Sequence, residues 1–306
     1  GCLPILTTIT PTDITFTSAT SGGDITDEGG AIMEMGLVWG TTNNPTITSN
    51  LGITYESDTN DPELGTYYSN LTSLNHNTVY HVRAYATNSF GTSYGQEEIF
   101  STSQILNVAG PNLTDIDGNT YETVQIGNQI WTKQNLNVSK YRNGVDIPQI
   151  TDYDEWHNTY NTQVGAWCYY SNNSSNGTTY GKLYNWYAVN SPNGLAPDGY
   201  HIPSAEEWDT LINYLGGSSI AGEKMKNWDG ASNISGFTGL AGGYRVNNGI
   251  FYVLGEFGFW WSTDVIYPDT AYEQAKKYYL RSGYDDVSGM YVAPRWGHSV
   301  RLIKDE

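Results

Sequence analysis

Asp115, Asp117 and Asn119 alternate along five residues around Gly118. Hard side-chain oxygens at that spacing, with a glycine to permit a sharp turn, suit calcium. The full helix-flanked calcium loop also needs a glutamate at its distal position, and none stands there. The same residues also spell an Asx turn, so both readings stay open. Asp285-Asp286 is a second acidic pair of this kind. The five histidines, His76, His81, His157, His201 and His298, show no His-x-x-x-His or Glu-x-x-His spacing for zinc. His201, between Tyr200 and Ile202, reads as a satisfied structural histidine. No Gly-x-Ser-x-Gly elbow, phosphate loop or dinucleotide fingerprint is present. Acidic residues are plentiful, yet linear spacing does not pick out a glycosidase pair.

Binding is the better expectation, and Tyr244, Arg245, Trp260 and Trp261 are its candidates. Adjacent residues of a strand point to opposite faces, so one of Trp260 and Trp261 would enter the core and the other would face a surface. An exposed Trp or Tyr stacks on sugar rings while nearby polar groups bond the hydroxyls. Arg245 offers paired donors to sugars or acidic groups. In a glycine-rich segment poor in leucine, the same aromatics can instead be core.

The two cysteines are Cys2 and Cys168. Gly1-Cys2 has the order found where a lipoprotein signal ends and a modified cysteine begins, which makes Cys2 a lipidation candidate. A free cysteine near a boundary is the other reading. Cys168, in Ala166-Trp-Cys-Tyr-Tyr170, reads as a small apolar residue of a buried strand.

The elements that must position these groups fall into two sets. With 306 residues the chain can bury two ordinary cores. A balance of 14 Lys and Arg against 32 Asp and Glu gives a net charge of -18, which disfavours nucleic acid and anionic headgroups as partners. Tyr at 25 and Trp at 10 argue for folded bodies rather than an acidic disordered tail. No apolar run reaches the length of a membrane span.

Residues 1–103 read as an antiparallel β-sandwich. Ile14 and Phe16 alternate with polar neighbours, Gly36–Gly40 makes a central strand, and Thr78, Tyr80, Val82, Ala84 and Ala86 share one face. Leu74 and Tyr80 are placed as at the lower corner of a sandwich. Residues 104–112 form a short junction around Gly110-Pro111, with Ile105, Leu106 and Val108 available to cover an interface and limit hinge freedom. Residues 113–306 mix helix and curled sheet. Gly127-Asn128 predicts a tight hairpin. Ser204 with Glu207 predicts a capping box ahead of Trp208, Leu211, Ile212 and Leu215, stopped by Gly216-Gly217. A shorter helix is expected over 220–227.

Two resemblances add to this reading. Thr78-Val-Tyr-His-Val-Arg-Ala-Tyr-Ala-Thr-Asn-Ser-Phe-Gly91, Tyr94-Gly95 and Phe100-Ser-Thr102 resemble fibronectin type III-like repeats of bacterial surface proteins. In such repeats a strand like 36–40 precedes a long variable loop, here about residues 41–65, and the domain acts as a spacer or in adhesion. Eleven acidic residues against Arg83 alone suit a solvated spacer.

Residues 113–306 resemble the Fibrobacter succinogenes major paralogous domain. The resemblance rests on Asp117-Gly118-Asn119, Gln129-Ile-Trp131, Asn135-Leu136, Leu183-Tyr-Asn-Trp-Tyr187, Pro197-Asp-Gly-Tyr-His201, Gly242-Gly-Tyr-Arg245, Trp260-Trp-Ser262 and the closing His298-Ser-Val-Arg301. It implies an α+β domain similar to formylglycine-generating enzymes and, more distantly, to C-type lectins. The family's paired cysteines correspond here to Ala196 and Leu302, so the bridge they suggest is absent and both positions should lie close together in the core. The cysteine chemistry of formylglycine-generating enzymes is lost with it.

The expected whole is therefore a multidomain chain: a β-sandwich, then a C-type-lectin-like α+β domain. Its expected role is a noncatalytic bacterial module, secreted or on the outer-membrane surface, that binds carbohydrate as an adhesin and needs no cofactor unless calcium is held. The alternatives are a structural subunit of an extracellular fibre or envelope complex, partnered by copies of itself or other surface proteins, and an enzyme of a kind not yet characterised.

Overall fold

The computed structural model describes residues 1–56, 65–105, 107–268 and 270–305. The chain divides into two compact units, Gly1–Ile105 and Leu106–Glu306. It is a β-rich multidomain protein. The expected loop at 41–65 and the junction residue Leu106 lie partly or wholly outside the described residues.

The first unit contains β1 (Ile5–Thr12), β2 (Ala19–Asp27), β3 (Ile32–Gly40), β4 (Gly52–Ile53), β5 (Gly65–Leu71), β6 (Val79–Asn88), β7 (Gly91–Tyr94) and β8 (Glu98–Ser101). β1, β2 and β5 make one antiparallel sheet, and β4, β3, β6 and β7 make the other, with β8 also on β6. Alternation along β6 buries Tyr80, Val82, Ala84 and Ala86, which meet Leu37 and Trp39 of β3 and Leu6, Ile25 and Leu71 of the facing sheet. The Tyr80 hydroxyl accepts the Asn75 amide at 2.9 Å and so fixes the corner before β6. Gly36 is required where β3 passes the chain after β4, because a Cβ there would lie 2.0 Å from the Thr54 carbonyl oxygen. Ile14 and Phe16 do not form the expected strand. Asp13 takes a φ of 48°, and the Thr15 hydroxyl accepts the amides of Thr17 and Ser18, so a side-chain-capped turn prevails over the alternation.

The second unit opens with β9 (Val108–Ala109), β10 (Leu113–Thr114), β11 (Thr120–Tyr121), β12 (Thr123–Ile126) and β13 (Gln129–Thr132). β12 and β13 are a two-residue hairpin with Ile126 opposite Gln129, and Gly127 sits at φ 62°, as its turn requires. Next come α1 (Tyr153–Thr162), β14 (Trp167–Cys168), α2 (Ser175–Tyr180), β15 (Leu183–Tyr184), α3 (Trp186–Val189), β16 (Tyr200–His201), α4 (Ala205–Tyr214) and α5 (Ala221–Met225). α4 carries the reciprocal capping box of Ser204 and Glu207 and buries Trp208, Leu211 and Ile212. α1 was not legible from apolar spacing, since only Trp156 and Thr159 are buried along it. Its signal was the cap: Asp152 accepts the Glu155 amide, with Asp154 and Glu155 in the first turn.

The unit closes with β17 (Gly242–Arg245), β18 (Phe251–Leu254), β19 (Phe257–Ile266), β20 (Gln274–Arg281), β21 (Ser288–Val292) and β22 (Ile303–Lys304). β19, β20 and β21 form an antiparallel sheet, while β22 lies between β16 and β13 in a second sheet. Trp260 pairs with Tyr278 and Trp261 with Lys277, so two faces of β19–β20 are defined in register. On one face Trp260 and Tyr278 meet Trp208 of α4, at 6.3 and 5.0 Å between ring centroids. On the other, Trp261 and Ala275 join a large core with Tyr184, Trp186, Val300 and Leu302. Among the described residues no helix is long and apolar enough to cross a membrane.

Candidate functional site

Most of the motif residues turn out to hold the chain together. The Asp115 carboxylate accepts the amides of Asp117 and Asn119 through Oδ1, and the Asn119 side-chain amide and the Tyr121 hydroxyl through Oδ2. Asp117 accepts the Ser139 amide. Donors from within the fold fill both oxygens of Asp115, so at that residue the structure favours the Asx-type turn over the calcium expectation for Asp115, Asp117 and Asn119. Asp286 is likewise engaged, with Arg281 Nε at 3.3 Å and the Ser288 hydroxyl at 2.8 Å. Among the described residues no group of three or more His, Cys, Asp or Glu side chains could hold a metal ion.

Arg245, Trp260 and Trp261 are buried, which corrects their assignment to a binding surface. The Arg245 guanidinium donates to the carbonyls of Ile150, Thr151, Asp152 and Gly249 and lies 4.3 Å from the Trp156 ring centroid. It thus ties the loop entering α1 to β17. Trp260 Nε1 donates to Asn135 Oδ1 at 2.7 Å, and Trp261 Nε1 to the Tyr184 carbonyl at 2.8 Å. The expected opposition of the two tryptophans holds, but both faces of the strand are covered. Arg301 follows the same logic: its guanidinium donates to Asn135 Oδ1 and to the carbonyls of Thr132, Phe237 and Thr238. The Ser-Val-Arg segment is an extended thread, bonded to Phe259 and Trp261 through Ser299 and to Leu136 through Val300.

Tyr244 is the exception. Its half-buried ring lies 5.3 Å from Trp296 at an interplanar angle of 24°, 4.8 Å from Phe259 and 5.8 Å from exposed Tyr252. Beneath these rings lies Lys277, only 2% exposed. Its Nζ is 3.8 Å from the Phe259 centroid, 5.2 Å from Tyr244, 5.4 Å from Trp296 and 5.5 Å from Tyr279. No carboxylate among the described residues pairs with it. Burial pushes its amine down to about 7. His298 adjoins, with ring centroids 4.5 Å from Trp261 and 5.4 Å from Phe259. It is fully buried, and neither ring nitrogen has a hydrogen-bond partner. Burial, and then the Lys277 charge, hold it well below the usual imidazole range. An amine with no hydrogen bond or ion pair among the described residues thus lies beside an imidazole with neither nitrogen bonded, under rings that reach solvent.

Comparison with known proteins bears on the frame around this cluster. Residues 124–304, well over half of the chain, match the family Fibrobacter succinogenes major domain. The chain belongs to this family. No curated protein matches it. Among solved structures it is similar to the sensor domain of the anti-sigma factor RsgI4 in Pseudobacteroides cellulosolvens. The short form has 16% identity over 33% of this chain and 94% of that chain, at a TM-score of 0.25. The long form has 16% identity over 36% and 100%, at 0.27, and the solution structure 18% over 33% and 76%, at 0.25. At such TM-scores the likeness carries no argument about role.

Within the Fibrobacter succinogenes major domain, Ala196 and Leu302 both sit in the large core, as apolar residues at those positions should. His201 is a satisfied histidine, half-exposed, with both ring nitrogens engaged. Its Nδ1 is 2.6 Å from Asp305 and its Nε2 2.7 Å from Glu207, which also accepts the Ser204 amide. Burial alone would lower its pKa, yet the bonds to Asp305 and Glu207 outweigh that and raise it. Its cavity, about 310 Å³, is also lined by Arg142, Tyr200 and Thr263. Lys277 escaped sequence reasoning, although the alternation of Gln274–Arg281 contains its signal: it falls in phase with Ala275 and Tyr279 on the covered face.

Proposed function

We propose that this protein is a noncatalytic bacterial cell-surface or secreted module that binds carbohydrate. The observation that carries the reading is the set of rings around Lys277: Tyr244, Tyr279 and Trp296, with Tyr252 against Tyr244, all retain solvent exposure. Sugars bind such surfaces by stacking their apolar ring faces on aromatic planes. We read the second unit as a C-type-lectin-like α+β domain, supported by its capped helix packed on curled sheets, and the first as a fibronectin type III-like spacer, supported by its two facing sheets and Tyr80 corner. A lipid anchor on Cys2 is part of the proposal; its side chain is exposed while its amide is fixed to the Gly29 carbonyl at 3.0 Å. Binding of wild-type protein to a broad glycan panel should be lost in a Tyr244→Ala, Trp296→Ala double variant that keeps its thermal transition. Absence of any glycan signal from the wild type refutes this reading.

A second reading, the fibre subunit, is favoured by β21, an edge strand of its sheet with exposed Met290 and Tyr291. Sedimentation that reveals ordered homopolymers, with no glycan binding, would favour it.

A further inference from the structure

We infer that the ligand of this surface carries a carboxylate, and that Lys277 with His298 receives it: the module recognises an acidic sugar of the hexuronate class. This rests on the carbohydrate reading above and names its chemistry.

The argument starts from what a strand position facing a core normally holds. Lys277 occupies such a position, between Ala275 and Tyr279 and opposite Trp261. A methionine or leucine there would fill the space without the desolvation an ammonium suffers. Buried lysines in this unit otherwise find oxygen. Lys226 Nζ donates to the carbonyls of Arg281 and Tyr284, Lys224 Nζ to that of Leu215, and Lys182 Nζ to that of Asn137. Lys277 has four ring faces near its amine and no hydrogen bond or ion pair among the described residues, and cation–π attraction offsets part of the lost hydration but supplies no acceptor.

His298 repeats the pattern one strand away, with both nitrogens orphaned. A neutral imidazole presents one N–H donor and one acceptor. A carboxylate reaching this cluster would take the ammonium and the imidazole N–H as donors, both otherwise unused. The sugar ring attached to it would then lie against Tyr244 and Trp296, the half-buried rings above. A neutral sugar satisfies the rings but leaves the ammonium unpaired, and in a site with an unmet charge that difference is large. The net charge of -18 opposes the approach of an anion, so discrimination has to come from this local cation rather than from long-range attraction.

Calorimetric titration of the wild-type protein with α-1,4-linked trigalacturonate and with the matching α-1,4-linked galactotriose isolates the carboxylate. The expected result is at least a tenfold preference for the acidic trisaccharide, abolished in Lys277→Met while binding of the neutral one persists. Equal affinity for both in the wild type overturns the inference and leaves the carbohydrate reading standing. A preference that survives in Lys277→Met removes Lys277 as the receptor and overturns it as well. Failure to bind these or any member of the glycan panel refutes the carbohydrate reading itself. Because the first comparison uses wild-type protein alone, it decides the matter even if the variant does not fold.

Discussion

Replacing Lys277 by Met should stabilise the second unit, and the gain should shrink as pH rises. Burial lowers the amine from 10.5 to about 7 in the folded protein. Between those values the unfolded chain binds a proton that the folded chain does not, so wild-type stability rises with pH by up to about 1.4 kcal/mol per unit. The sign is that of a depressed cation: the penalty is absent above the unfolded value, grows as pH falls, and is complete below the folded one. Proton linkage between those two values makes it about 4 kcal/mol at pH 7 and about 2 kcal/mol at pH 9. Lys277→Met should therefore be more stable than wild type at pH 7 by an amount of that order, and the gap should narrow by about 2 kcal/mol at pH 9. Urea unfolding followed by tryptophan fluorescence isolates the unit, because every tryptophan except Trp39 lies beyond residue 106. A gap independent of pH, or a variant less stable than wild type at pH 7, would show that the amine is better solvated or paired than the geometry indicates.

Arg301→Met should lower stability by about 3 kcal/mol or more, since the carbonyls of Thr132, Phe237 and Thr238 lose their charged donor in a dry interior at about 1–3 kcal/mol each; a loss below about 1 kcal/mol in the same urea assay would refute that account. Burial pushes the Cys168 thiol up to about 12, so in protein produced without the lipid anchor iodoacetamide at pH 8 should label Cys2 alone in the native state and both cysteines after denaturation. Two labels by mass spectrometry before denaturation would contradict the buried placement.

Much of the local structure was legible in the sequence because it depends on residues a few positions apart. The capping box of Ser204 and Glu207, the Gly127-Asn128 hairpin and the alternation of Tyr80, Val82, Ala84 and Ala86 need no knowledge of the rest of the chain. Membership of the Fibrobacter succinogenes major domain was legible for a related reason. Its motif residues include Arg245, Arg301, Trp260 and Asn135, whose bonds are specific to their chemistry and so leave a recognisable spacing. What each motif does was decided by tertiary structure alone. Alternation says that Trp260 and Trp261 oppose one another, but whether either face is open depends on α4, Tyr184 and the 297–302 thread, which arrive from distant parts of the sequence. The carboxylate of Asp115 offers the same oxygens to a metal or to the amides of its own turn, and pairing of β10 with β11 adds the Tyr121 hydroxyl that fills Oδ2. Lys277 shows the reverse case. Alternation places it in phase with Ala275 and Tyr279, but it becomes unusual only because Phe259, Tyr244 and Trp296 surround its amine and bring no carboxylate with them.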